Sequence, residues 1–130
     1  MKVLVDTCVW SQVLRHKKPD QELENKLKDL VKDGRVVIIG PIRQELLSGI
    51  ANESQFESLK EHLSCFEDIT LTPHHFIKAA EFSNICRKKG VQGSTTDFLI
   101  CSTAYLENTD IFTTDLDFKN YKNYLPIKLF

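Results

Sequence analysis

The chain has 130 residues, 42% of them hydrophobic and 27% charged, and its net charge is −1. This length predicts one domain spanning residues 1–130, and the composition is typical of a globular protein with a hydrophobic core. The near-zero net charge excludes a uniformly basic nucleic-acid binder, and no apolar run approaches the roughly 20 residues of a membrane span, so we expect no membrane insertion.

Short apolar runs alternate along the chain with amphipathic repeats. Brief apolar runs rich in β-branched residues predict strands at 3–5, 36–39, 111–113 and 127–130. The last of these is predicted to be an edge strand. Hydrophobic residues at helical spacing predict helices within 9–14, 20–33, 40–49, 56–63, 73–90 and 97–105. Strands that alternate with helices in this way predict a three-layer α/β fold around a mostly parallel sheet.

The four cysteines are scattered and show no CxxC spacing. Cys8, Cys86 and Cys101 lie among apolar residues, where cysteine behaves as a small hydrophobic side chain. The start of the chain also lacks a signal-peptide pattern. We therefore expect free thiols in a reducing, cytoplasmic setting.

Acidic residues follow two of the predicted strands. Asp6 ends the first strand, and Asp115 follows the strand at 111–113. Glu45 lies about one turn into the helix after the second strand, and Asp97 begins a helix whose other inward positions are apolar. Because ligands bind at the carboxyl edge of parallel sheets, we expect these four acids to converge there. Taken singly, Asp6 can be a helix cap and Asp97 a first-turn residue favoured by the helix dipole.

Four converging carboxylates repel one another and raise one another's pKa values, so they do not stabilise a fold by themselves. A divalent cation resolves this conflict, because Mg²⁺ and Mn²⁺ take hard oxygen ligands and keep waters that a phosphate can displace. Such a site activates water and stabilises the charge on a leaving oxygen. The pattern therefore predicts metal-dependent phosphodiester hydrolysis.

Further polar residues surround this predicted site. Asp117 either assists the metal through a water or only shapes its loop. His74 and His75 lack further ligands at metal spacing and predict a surface position. Basic residues are the candidate contacts to a phosphate backbone, and such contacts position nucleic acid without reading its sequence. They are the basic cluster Arg15-His16-Lys17-Lys18 and Arg43, Lys88 and Lys119.

Four segments in order resemble the PIN domain family, and more narrowly its VapC-type ribonuclease toxins. They are VLVDTCVW, IIGPIRQELLSG, TTDFLICSTAYLEN and IFTTDLDF, and the helix at 73–90 ends in a matching RKKG. The resemblance covers nearly the whole chain. One departure is that Cys101-Ser102 stand where the family often has two alanines, and both replacements are small.

The resemblance implies a three-layer α/β/α PIN-like fold in which Asp6, Glu45, Asp97 and Asp115 are the metal-binding acids. It further implies that Thr7 and Thr114 supply supporting hydroxyls and that Asp117 is an accessory acid. In that reading, Asp6, Asp97 and Asp115 hold Mg²⁺ or Mn²⁺, and Glu45 holds a metal-bound water or a second ion.

The resemblance also implies a homodimer that cleaves structured RNA, often tRNA, and inhibits translation. A small antitoxin would cover the acidic groove with its C-terminal segment. One alternative is a non-catalytic PIN-like module that binds RNA or protein. Another is a phosphatase or phospho-acceptor domain, which the single acid at the first strand disfavours, since Thr7 and Cys8 follow Asp6.

Overall fold

The computed structural model describes residues 1–15 and 17–130, so His16 of the predicted basic cluster lies outside the described residues. The strands are β1 (Val3–Val5), β2 (Val36–Ile38), β3 (Glu67–Asp68) and β4 (Asp110–Phe112). The helices are α1 (Thr7–Arg15), α2 (Gln21–Lys32), α3 (Gly40–Leu47), α4 (Glu53–Leu63), α5 (Pro73–Lys88), α6 (Thr95–Glu107) and α7 (Asp117–Lys122).

The strands form one four-stranded sheet in the order β3-β2-β1-β4, and every pairing is parallel. β1 lies in the middle because its three residues are apolar and wholly buried, as expected of a parallel strand covered on both faces. Helix α1 contacts α2 and α3, α3 contacts α4, and α5 packs against α6. The prediction of a three-layer α/β/α fold around a parallel sheet is therefore confirmed.

Local signals in the sequence set where several helices begin and end. The side chains of Asp20, Asn52 and Ser94 each accept a hydrogen bond from a backbone N–H in the first turn of α2, α4 and α6, respectively. Gly34 follows α2 with φ +67°, a left-handed conformation that glycine adopts without steric cost. The Ser94 cap matters most here, because it fixes the start of α6 and thereby the position of Asp97.

The structure differs from the sequence-based expectations at three places. β3 forms at two exposed acidic residues instead of an apolar run, because Val37 of β2 offers Glu67 a partner. The expected strand at 127–130 is reduced to one bridge between Ile111 and Leu129. The segment after β4 contains α7, which the sequence did not predict.

The expectation of a surface position for His75 was wrong. Its ring is buried, its Nδ1 accepts the N–H of Thr72, and its Nε2 lies 3.0 Å from Glu107 Oε1. His75 thus caps α5 and joins it to the end of α6. Separately, none of the helices among the described residues is long and apolar enough to cross a membrane.

Candidate metal centre

The site lies where β1 and β4 end side by side. Val5 pairs with Phe112, and the N–H of Asp6 donates to the Phe112 carbonyl over 2.9 Å. The first residues beyond the two strands, Asp6 on one side and Thr113 on the other, are therefore held together by the sheet itself. This arrangement follows from a parallel sheet, in which neighbouring carboxyl ends share one edge.

Asp6 is buried and both of its carboxylate oxygens are engaged. Its Oδ1 accepts the N–H of Thr7 over 2.7 Å, and its Oδ2 accepts the Thr113 hydroxyl over 2.8 Å. The Cys8 thiol lies 3.4 Å from the same Oδ2. The Thr113 oxygen in turn accepts the N–H of Asp115 over 3.0 Å, so one hydroxyl connects the two acids that follow β1 and β4.

Three further carboxylates meet at the same edge. Asp97, Asp115 and Asp117 each offer one oxygen, and these oxygens all lie within 4.8 Å of one another. Asp97 comes from the first turn of α6, Asp115 from the loop after β4, and Asp117 from the first turn of α7. The N–H of Asp117 donates to Asp115 Oδ1 over 2.9 Å, which holds these two acids in a fixed relation.

The electrostatics of this cluster are unfavourable without a cation. Burial raises the pKa of Asp6, opposed by its hydrogen bonds from Thr113 and Thr7, and the Asp97 charge raises it further. Burial also raises the pKa of Asp97, opposed by the Tyr121 hydroxyl, and the charge of Asp115 adds to the increase. Among the described residues, no lysine or arginine forms an ion pair with these acids.

The donor set fits a divalent cation that prefers oxygen. Mg²⁺ binds through one or two carboxylates and keeps several waters, whereas structural zinc sites use thiolate and imidazole. Asp97, Asp115 and Asp117 supply only carboxylate oxygens, and no histidine or cysteine joins this group in the described part of the chain. A hard ion at this position would also offset the repulsion between the carboxylates.

Glu45 is not brought into the cluster by any described contact. It is exposed on α3, and its side chain forms no hydrogen bond or ion pair with another described residue. Of the four acids predicted to converge, Asp97 and Asp115 lie in one group and Asp6 is joined to Asp115 through Thr113. Glu45 is not a member of that group among the described residues.

The predicted supporting hydroxyls are not the ones that touch the acids. Thr7 supports Asp6 with its backbone N–H, and its buried hydroxyl has no hydrogen-bond partner among the described residues. The Thr114 hydroxyl donates to Cys8 Sγ over 3.3 Å and so reaches Asp6 only through that sulfur. Thr113 supplies the hydroxyl instead, because the chain beyond β4 directs Thr113 towards Asp6 and Thr114 towards the sulfur of Cys8.

Tyr121 is a polar residue of the site that the sequence did not reveal. Its hydroxyl donates to Asp97 Oδ2 over 2.7 Å, and its ring is fully buried. Burial and the bond to Asp97 both raise the pKa of the Tyr121 hydroxyl, so it is neutral and a donor. The available signal was its spacing of four residues from Asp117, which places both on one face of a helix.

Five of the basic residues predicted to contact substrate divide into two groups. Arg15 donates to the Leu46 carbonyl over 2.7 Å, and Arg43 pairs with Asp68 over 2.8 Å, so both have partners within the fold. Lys17, Lys88 and Lys119 are exposed, and none of them forms an ion pair with another described residue. Of these five residues, the three lysines therefore present their charge to solvent without an ion-pair partner among the described residues.

A groove of about 940 Å³ lies away from the acids, at the far end of α1. Its lining comes from Leu14 and Arg15 of α1, from the loop between Ser48 and Asn52, and from residues of α4 that include Leu59 and His62. The helix α1 therefore connects the groove to the metal centre, since it begins directly after Asp6.

Comparison with known proteins assigns the family. The PIN domain model matches residues 3–124, and the chain belongs to the PIN domain family. No curated protein sequence matches it.

Several solved structures share the fold. FitAcB from Neisseria gonorrhoeae superposes with a TM-score of 0.75 at 19% identity, covering 98% of this chain and 96% of that one. VapBC2 from Rickettsia felis, bound to a DNA fragment from its promoter, gives 0.78 at 24%, with 100% and 98% covered. VapBC-1 from nontypeable Haemophilus influenzae gives 0.78 at 16%, with 99% and 98% covered. At these identities the likeness concerns the fold.

Proposed function

We propose that this chain, as a single nuclease domain over residues 1–130, is a metal-dependent endoribonuclease and the toxin of a VapBC-type toxin–antitoxin pair. It would hydrolyse phosphodiester bonds in structured RNA in the cytoplasm, with tRNA the first candidate, and thereby inhibit translation. The observation that carries the proposal is the group Asp97, Asp115 and Asp117, whose oxygens lie within 4.8 Å of one another. The PIN domain match and the toxin–antitoxin complexes among the similar structures support it.

In this proposal, Asp6, Asp97 and Asp115 hold Mg²⁺ or Mn²⁺, and Asp117 assists them. When bound, such an ion lowers the pKa of a water molecule and stabilises charge that develops on phosphate oxygens. The Thr113 hydroxyl holds Asp6 and the Asp115 backbone in a fixed relative position, because it forms a hydrogen bond with each of them. Glu45 is exposed on α3, and its proposed role is to orient a water or to hold a second ion.

The substrate contacts in this proposal are mainly the exposed lysines. Lys17, Lys88 and Lys119 would bind the phosphate backbone and fix the position of the RNA without reading its sequence. Arg15 and Arg43 are weaker candidates, because each already bonds a partner within the fold.

An antitoxin is the proposed protein partner, and a homodimer is the proposed state of the toxin. An antitoxin segment could reach both the acids and the groove, because α1 connects them and its nine residues span about 13 Å at 1.5 Å per residue. The exposed apolar side chains Phe76, Ile77 and Ile85 of α5 offer a surface for a second copy.

The test is an RNA cleavage assay with antitoxin-free protein. Total RNA and purified tRNA are incubated with Mn²⁺, Mg²⁺ or EDTA, and with the wild type, Asp6→Asn or Asp115→Asn. Asp29→Asn is the matched control, since Asp29 is exposed on α2. The proposal predicts cleavage at one or a few sites by the wild type and Asp29→Asn, lost in EDTA and in both site variants.

If the folded wild type and the site variants leave every RNA equally intact, the endoribonuclease proposal fails. Retained Mn²⁺ binding and RNA binding without cleavage would then favour the non-catalytic module. Cleavage that persists in EDTA would contradict the metal dependence specifically.

A further inference from the structure

Tyr121 is a buried polar side chain that the proposed mechanism does not use. Its ring packs against Phe98 and Phe118, with centroid distances of 5.2 and 5.1 Å, and its hydroxyl donates to Asp97 Oδ2 over 2.7 Å. A buried tyrosine hydroxyl requires some acceptor, so packing with a satisfied hydroxyl is the simpler explanation. Two further observations go beyond that explanation.

The first observation is the identity of the acceptor. Asp97 is one of the three carboxylates whose oxygens lie within 4.8 Å of one another. A hydrogen bond to a carboxylate is shorter and stronger than one between neutral groups, so it restricts the rotation of that carboxylate. The N–H of Asp97 bonds the Ser94 hydroxyl over 3.0 Å, and Tyr121 thus fixes the side chain of a residue whose backbone is already fixed.

The second observation is the position of Tyr121 in α7. Asp117 lies four residues earlier in this helix, so the two side chains share one face. The bond from Tyr121 to Asp97 therefore joins α7 to α6 directly beside the acids. Together with the packing of the Tyr121 ring on Phe98, it holds Asp97 of α6 and Asp117 of α7 in a fixed relation.

Gly93 provides the space that this contact needs. A Cβ added at Gly93 would lie 2.8 Å from Tyr121 Cζ and 3.0 Å from Phe98 Cε2, and it would clash with the Tyr121 hydroxyl. Its φ is not positive, so backbone conformation does not explain the glycine. The close approach of the tyrosine does.

We propose that Tyr121 is a positioning residue of the metal centre, which orients the Asp97 carboxylate for a divalent cation, and that Gly93 makes room for it. This inference rests on the proposed function, because it assigns Tyr121 a role in the same site. Residues that orient metal ligands through hydrogen bonds commonly change metal affinity by 10–100-fold when they are removed.

The test is direct Mn²⁺ binding to the metal-free protein, measured by calorimetry without RNA. Tyr121→Phe keeps the ring and its contacts with Phe98 and Phe118 and removes only the hydroxyl. We expect its Mn²⁺ dissociation constant to rise at least about tenfold. Tyr124→Phe is the matched control, because Tyr124 is 42% exposed, and it is expected to bind Mn²⁺ like the wild type.

Gly93→Ala is the second variant, and it tests the positioning role of Tyr121 if Tyr121→Phe does not fold. We expect Gly93→Ala to weaken Mn²⁺ binding about as much as Tyr121→Phe does, because its Cβ displaces the same hydroxyl. The double variant is expected to bind no more weakly than the worse single variant. Independent losses that multiply in the double variant would overturn the proposal.

A purely structural role for Tyr121 makes a different prediction. In that case Tyr121→Phe lowers the melting temperature but leaves the Mn²⁺ dissociation constant at the wild-type value, and this result overturns the inference. Wild-type protein that binds Mn²⁺ but cleaves no RNA would refute the proposed nuclease function, while the calorimetric comparison still decides the role of Tyr121. Wild-type protein that binds no Mn²⁺ refutes both.

Discussion

Asp97→Asn is expected to stabilise the metal-free protein and to remove its stabilisation by metal. The carboxylate of Asp97 is half-buried beside that of Asp115, and their ligand oxygens lie within 4.8 Å of each other. Two unit charges at this distance repel by about 1 kcal/mol in water and about 3.5 kcal/mol at an effective dielectric constant of 20. Because Asp97 is partly exposed, the lower figure is the appropriate one.

The substitution removes charge while conserving the contacts. An asparagine Oδ1 still accepts the Tyr121 hydroxyl, and the backbone N–H still donates to Ser94. We therefore expect the free energy of unfolding in EDTA at neutral pH to rise by about 1 kcal/mol, which corresponds to about 4 °C in melting temperature. With Mn²⁺ at about 100 times its dissociation constant, the free energy of unfolding of the wild type rises by about 2.7 kcal/mol. The wild type then becomes more stable than Asp97→Asn.

The stability gain expected for Asp97→Asn in EDTA depends on pH. Burial raises the pKa of Asp97 in the folded protein above the value of 3.8 for an unperturbed aspartate. The proton on Asp97 therefore stabilises the fold fully below the unfolded pKa, and this contribution is lost as pH rises through the folded pKa. The advantage of Asp97→Asn should thus be absent in strong acid and appear as pH increases.

Thermal unfolding followed by circular dichroism, with and without Mn²⁺, tests these statements. Asp29→Asn on the exposed face of α2 is the control for a change of charge alone. Equal stability of the wild type and Asp97→Asn in EDTA across the pH range, with equal stabilisation of both by Mn²⁺, would refute the reasoning.

Four further substitutions separate the roles of the supporting residues. Thr113→Val should lower RNA cleavage at least about tenfold, since a removed metal-site support costs 10–100-fold, whereas Thr114→Val should change it far less; comparable losses in both would contradict the assignment. Cys8→Ala should lower the free energy of unfolding by about 1 kcal/mol, because the Thr114 N–H and hydroxyl lose their acceptor. His75→Ala should lower it by about 1–2 kcal/mol, through loss of the α5 cap, without changing Mn²⁺ affinity.

Urea unfolding measures the last two changes. Cys65→Ser is the control for Cys8→Ala, because Cys65 is exposed, and it should leave the stability near that of the wild type. A Cys8→Ala protein with the same free energy of unfolding as the wild type would show that the sulfur contacts contribute nothing to stability. A changed Mn²⁺ affinity in His75→Ala would show that α5 acts on the metal centre.

The architecture and part of the site could be predicted because the relevant signals are local. β1 and β2 are short β-branched runs, Asp6 directly follows β1, and Asp115 lies in the loop after β4. In a parallel sheet, this position alone brings them to one edge. The helix predicted at 97–105 likewise lies within α6, whose first turn carries Asp97.

The remaining features depend on contacts between distant segments. The six-residue helix α7 has too few turns to show a hydrophobic period, so the spacing of four residues between Asp117 and Tyr121 did not by itself predict a bond to Asp97. The choice between Thr113 and Thr114 depends on the direction of the chain after β4. β3 consists of two exposed acidic residues that form a strand only because β2 lies beside them.

The central claim is that the acids at the ends of β1 and β4, with those that begin α6 and α7, form a centre for a divalent cation. Anomalous diffraction from crystals grown with Mn²⁺ tests it most directly. We predict a peak at about 2.1 Å from carboxylate oxygens of Asp97 and Asp115, which disappears in Asp97→Asn. Ordered carboxylates with no peak between them at saturating Mn²⁺, or a peak only at other surface acids, would contradict the account.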